Sequence, residues 1–178
     1  MPVRLKTGAV LAGIAVLALL TATGGPQLYL EFRSYPEERT LRRIPVGKGD
    51  HFSTLITHSI HLSPVYETYR IEGEDELVLE STRLRDMGWG VPSTFEHPRR
   101  LQGGYLIIEG YEKTLPSLPF RVSAVNEAKL LLGDLPDDPA AFTGKVFRLE
   151  KYAADGKRIT FHVARYDGIV NVFYGLLP

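Results

Sequence analysis

The chain has 178 residues, the length of one domain, and its 21 basic side chains are balanced by 21 acidic ones. That balance excludes recruitment of nucleic acid or other polyanions by overall charge; Arg39, Arg42, Arg43 and Arg99, Arg100 are the only basic clusters, and such pairs ordinarily lie on solvated surface. There is no cysteine, which excludes a disulfide framework and a thiolate zinc site.

The first residues are the most directional part of the chain. Arg4 and Lys6 precede an apolar stretch from Gly8 to about Ala22, and no charge follows until Glu31. This is the layout of a basic n-region and a hydrophobic h-region. As a cleaved signal it would use the small residues Ala22-Thr23-Gly24. As a retained helix it would draw on Gly8 through Leu30, enough for the ~20 residues that a bilayer core requires, with a far end weakened by Gly24, Gly25, Pro26 and Gln27. Under either reading the basic residues stay on the cytoplasmic side of the inner membrane and the rest of the chain lies beyond it. The expected organisation is a membrane anchor or signal segment over 1–26 and an extracytoplasmic, periplasmic β-domain over 27–178.

After Pro26 the pattern changes. Leu28, Leu30 and Phe32 alternate with Tyr29, Glu31 and Arg33, the period of a half-buried strand. Further strands are predicted at 41–46, 51–60, 65–72, 76–85, 105–109, 120–125, 129–132, 145–152, 158–164 and 169–174. Gly47-Lys48-Gly49-Asp50, Gly73-Glu74-Asp75, Gly103-Gly104, Ala154-Asp155-Gly156 and Asp167-Gly168 punctuate them. Pro139 behind Asp138 fits the first position and cap of a short helical turn within 135–142. Many short strands with turns between them predict an all-β fold, an antiparallel sandwich or small barrel, preceded by one N-terminal hydrophobic helix.

Two stretches hold the candidate site residues. With His61-Leu62-Ser63-Pro64 as a loop, antiparallel pairing sets Ile60 opposite Val65, His58 opposite Glu67, Ile56 opposite Tyr69 and Thr54 opposite Ile71. Period 2 then turns all eight to one largely apolar face, with Leu55, Thr57, Ser59, Tyr66, Thr68 and Arg70 on a mostly polar reverse. A buried His58–Glu67 pair beside Tyr69 reads either as a proton-sensitive or ligand-orienting site, or as a satisfied polar pair that fixes register. A Ser-His hydrolase built on His58-Ser59 is excluded, because adjacent strand residues point to opposite faces and no nucleophile elbow is present. His58 and His61 are three apart, a spacing that serves a metal on a helix but not on a strand, so no metal site is expected.

The second stretch is the loop Met87-Gly88-Trp89-Gly90-Val91-Pro92. Gly88 and Gly90 permit backbone turns closed to other residues, and Pro92 biases Val91 toward an extended shape. Trp89, the one tryptophan of the chain, can cap a ligand pocket, press into a partner or plug one end of the fold. No phosphate-cradling or dinucleotide motif occurs, and no catalytic set or cofactor is expected.

His58-Ser59, Pro64-Val65, Glu67 and Met87-Gly88-Trp89-Gly90-Val91-Pro92, in that order, resemble the pattern of the bacterial family catalogued as domain of unknown function 1850. The similarity covers most of the chain after residue 27. It implies a small protein with an N-terminal hydrophobic segment, often encoded beside the fused permeases of TAXI-type TRAP transporters, and it favours an uncleaved, single-pass anchor. The function it implies is an accessory subunit of such a transporter rather than an enzyme. The alternative is a small-molecule binding module using His58, Ser59, Glu67 and Tyr69 with Gly88, Trp89, Gly90 and Pro92. The expected partners are the membrane and a TRAP permease, with no nucleic acid.

Overall fold

The alternating segments become eleven β-strands in a computed structural model that describes residues 26–58, 62–85, 96–123 and 125–166. In chain order they are β1 (Gln27–Ser34), β2 (Thr40–Val46), β3 (His51–Thr57), β4 (Pro64–Gly73), β5 (Glu76–Leu84), β6 (Arg99–Gln102), β7 (Tyr105–Leu115), β8 (Leu118–Arg121), β9 (Lys129–Leu132), β10 (Lys145–Arg148) and β11 (Arg158–Tyr166). They make two antiparallel sheets, one of four strands in the order β2-β1-β11-β8 and one of seven in the order β10-β9-β3-β4-β5-β7-β6. Both sheets stay open, so of the two expected all-β forms the small barrel is not adopted. The expected hydrophobic helix falls mostly in residues 1–25, outside the described residues, as does the predicted strand at 169–174; it does not reach Leu30, because residues 27–30 are part of β1. Among the described residues no helix is long and apolar enough to cross a membrane.

The alternation explains how the sheets meet. Leu30 and Phe32 of β1, Ile44 and Val46 of β2, and Ile159, Phe161 and Val163 of β11 form one core with Phe52, Tyr69, Ile71, Leu77 and Leu130 of the larger sheet. Phe32 stands edge-on to Phe161, Tyr152 and Phe147, at centroid distances of 5.0, 5.1 and 5.7 Å. Each such buried side chain contributes ~1.5–3 kcal/mol relative to exposure.

The hairpin of β3 and β4 departs from the predicted register. Thr57 lies opposite Pro64, Ile56 opposite Val65, Thr54 opposite Glu67 and Phe52 opposite Tyr69. The strands have slid by four residues, and His58 does not face Glu67. An even slip leaves every side chain on its predicted face, so the apolar set still points inward. The connection is the cause. β3 ends at Thr57, whose N–H donates to the Asn126 carbonyl at 2.7 Å, and the His58 N–H donates to the Ser63 carbonyl at 2.8 Å. The connection between the two strands therefore runs from residue 58 to residue 63 instead of over 61–64.

Other boundaries move for local reasons. β6 was not predicted; it pairs with β7 through a two-residue loop whose glycines, Gly103 and Gly104, have φ of 60° and 80°. Two successive positive φ values are what a tight hairpin of this hand requires. β10 stops at Arg148 because the Leu149 N–H turns to the Ala128 carbonyl, 2.9 Å away, and opens a 3-10 turn over Leu149–Lys151. β8 occupies 118–121 where a strand at 120–125 was expected. The expected helical turn is present as a 3-10 turn over Pro139–Ala141, with the Asp138 side chain accepting from Ala140 N at 3.0 Å.

The reverse face of the larger sheet is less polar in effect than its sequence implies. Tyr66, Tyr105, Ile107, Leu131 and Leu135 form a second apolar cluster, with Leu55 and Phe142 packed against it. Ser53 and Thr68, opposite each other on β3 and β4, are buried and share a 2.9 Å hydrogen bond.

Candidate functional site

Glu67 and Tyr69 are two residues apart on β4 and so share its inward face. Tyr69 is buried and stacked on Phe52, with ring centroids 5.2 Å apart and planes at 16°. Its hydroxyl donates to Glu67 Oε2 at 2.8 Å. Burial, and then the adjacent carboxylate, push the Tyr69 phenol far above its ordinary range, so it remains a donor. Glu67 itself is half-buried, between Thr54 and Thr82 on the two neighbouring strands. Of the predicted site, this acid–phenol pair is what the fold brings together. His58 lies beyond the end of β3, opposite Ser63, roughly 13 Å along the sheet from Glu67 at 3.3 Å per residue. Ser59, Gly88, Trp89, Gly90 and Pro92 lie outside the described residues.

A second constellation escaped the sequence reading. Glu31, at the centre of β1, reads as an outward polar residue, yet it is 0% exposed. Oε1 accepts from Arg43 Nε at 2.6 Å and from the Tyr166 hydroxyl at 2.7 Å, and Oε2 accepts from Arg33 Nε at 2.8 Å. Arg43 also lies over the Tyr166 ring, 5.1 Å from its centroid. Burial alone would raise the Glu31 pKa, but the hydrogen bonds from Tyr166, Arg43 and Arg33 outweigh it and hold the carboxyl below its usual range. Tyr166 moves the other way, upward, through burial and the bond it gives Glu31. The available signal was Glu31 and Arg33 on one face of β1 with Arg43 arriving from β2.

Arg83 on β5 is the third unusual group. It is 8% exposed, and its guanidinium donates to the Pro136 carbonyl at 2.5 Å and the Leu135 carbonyl at 3.1 Å. Its Nε is buried with no hydrogen-bond partner among the described residues, and burial lowers its pKa. It thereby ties the segment after β9 across the second apolar cluster. There, burial and Tyr105 push the Tyr66 phenol up to about 12.

The rest of that outer face carries alternating charges. His51 lies between Glu80 and Asp134, with Nε2 and Nδ1 at 3.1 and 2.9 Å from their carboxylates. Arg70 joins Glu80, Glu72 and Glu112, and Lys48 joins Glu72 at 3.0 Å. Partly exposed pairs of this kind contribute little to stability. Among the described residues no group of three or more His, Asp or Glu is placed to hold a metal ion.

Two cavities open on the described surface. One, of about 380 Å³, is bounded by Gly49, Asp50, His51, Leu132, Gly133 and Asp134. The other, of about 340 Å³, is bounded by Ser123, Glu127, Lys129, Arg148 and Glu150, where the chain passes from β8 of one sheet to β9 of the other.

The family model described as a domain of unknown function (DUF1850) matches residues 52–135. That stretch runs from Phe52 in β3 through β9 and carries Glu67, Tyr69 and Arg83, leaving β1, β2, β10 and β11 outside it. No curated protein and no solved structure matches the chain. Residues 52–135, just under half of the chain, are thus similar to the DUF1850 family.

Proposed function

We propose that the protein is a membrane-tethered, extracytoplasmic accessory domain of a transporter, held beside a TRAP-type permease of the TAXI class. The observation that carries this reading is how close the apolar stretch lies to β1 in sequence. β1 begins at Gln27, so a retained span would draw on residues 8–26, 19 residues against the ~20 that a bilayer core requires, and would set the four-stranded sheet next to the membrane surface. Arg4 and Lys6 before that segment favour the orientation that sends the domain outward.

The partner is argued from the family's resemblance to small proteins encoded next to such permeases, which is an analogy of setting and not of chemistry. Among the described residues, Glu67–Tyr69, Glu31 with its three donors, and Arg83 are hydrogen-bonded anchors of the sheets. A tagged full-length chain, co-expressed with a TAXI-type TRAP permease and purified from detergent, is expected to carry the permease with it, identified by mass spectrometry. Removal of residues 1–26, or Trp89→Ala, is expected to reduce recovery at least tenfold. Recovery no greater than from an untagged control overturns the proposal.

A further inference from the structure

The cavity at the crossing between the sheets has a lining that the accessory role does not use. Lys129 and Arg148 lie directly opposite each other across the β9–β10 pair. Like charges in that position are unfavourable unless an anion comes between them. Lys129 is partly offset by Glu127 at 3.3 Å, whereas Arg148 and Glu150 have no ion-pair or hydrogen-bond side-chain partner among the described residues. Both nonetheless stand on pinned backbone. They flank Leu149, which is 0% exposed and whose N–H is bonded to the Ala128 carbonyl at 2.9 Å. Glu127 is held at φ 44°, a conformation that glycine adopts more easily, and lines the same opening.

The wall thus has two cationic and two anionic groups, with the Ser123 hydroxyl among them. A simple anion would meet two carboxylates, and a simple cation would meet a lysine and an arginine. A molecule with one pole of each sign satisfies both. We propose that this cavity binds a small zwitterion, a free α-amino acid, with its carboxylate on the Arg148 fork and Lys129 and its ammonium on Glu150 and Glu127. The volume of about 340 Å³ lies at the small end of the range for ligand pockets and suits such a molecule. The site is independent of the transporter reading, and neither depends on the other's outcome.

Ligand-observed NMR with the full-length chain in detergent tests the idea, using L-alanine as the two-pole probe. N-acetyl-L-alanine, which lacks the ammonium, and L-alaninamide, which lacks the carboxylate, are the one-pole controls. Saturation transfer to L-alanine is expected, with binding at least tenfold weaker for each control. Arg148→Ala and Glu150→Gln, both exposed and so without effect on the melting temperature, are each expected to weaken L-alanine binding at least tenfold. No transfer to L-alanine, equal binding of a one-pole control, or an unchanged affinity in both variants overturns the proposal.

Discussion

Replacing Glu31 by glutamine probes the most fully satisfied charge in the molecule. The carboxylate accepts from Arg43, Tyr166 and Arg33 at 2.6, 2.7 and 2.8 Å while wholly excluded from solvent. An amide retains one acceptor but turns an N–H₂ toward one of the arginines and leaves both guanidinium groups without their counter-charge. Removing one member of a buried ion pair costs ~3–5 kcal/mol. The Arg33 and Arg43 side chains are 25% and 26% exposed, so water recovers part of that loss. About 3 kcal/mol is therefore expected for Glu31→Gln at neutral pH, read as a lower urea midpoint at unchanged m-value.

The same carboxylate sets a pH dependence. Its folded pKa lies below the unfolded one, so its stabilising contribution is complete above the unfolded carboxylate range, near ~4.3, and is lost as pH falls through the lower folded value. The gap between the wild type and Glu31→Gln should therefore be constant from pH 7 down to about 5 and close below that. A gap under about 1 kcal/mol at pH 7, or one unchanged at pH 3, would refute the reasoning.

Two further substitutions probe the larger sheet. Tyr69→Phe removes only the hydroxyl that donates to Glu67, and about 1.5–2 kcal/mol of unfolding free energy is expected to go with it; a neutral result in calorimetry would show that the bond adds nothing net. Arg83→Leu deletes the two bonds to the Leu135 and Pro136 carbonyls, with an expected loss of about 2–3 kcal/mol and faster amide exchange around Leu131 and Tyr105. Unchanged exchange there would sink the claim that Arg83 fastens the covering segment.

The parts of this fold legible in the sequence are those set by neighbours along the chain. Apolar alternation fixed which face of β3 and β4 points inward, and Asp138 with Pro139 marked its 3-10 turn, because each depends on residues within a few positions. Register was not legible in the same way. Sliding β3 by four residues preserves the alternation, so the pattern cannot choose between the two pairings; the His58–Ser63 and Thr57–Asn126 backbone bonds do. Glu31 carries no local mark of burial, because its partners Arg43 and Tyr166 lie 12 and 135 positions away. β6, with the sequence Arg-Arg-Leu-Gln, carries no period of its own and exists by pairing with β7. Gly103-Gly104 is the sequence signal for that hairpin.

The proposal that the two-sheet domain stands outside the cytoplasm on an uncleaved tether can be tested directly, because the chain has no cysteine. Leu101, 71% exposed on β6, accepts a single thiol as Leu101→Cys without disturbing the core. With spheroplasts treated with a membrane-impermeant maleimide, full labelling before lysis and recovery of the labelled full-length chain in the membrane pellet are expected. Labelling that appears only after lysis, or a shortened labelled chain in the soluble fraction, would contradict it.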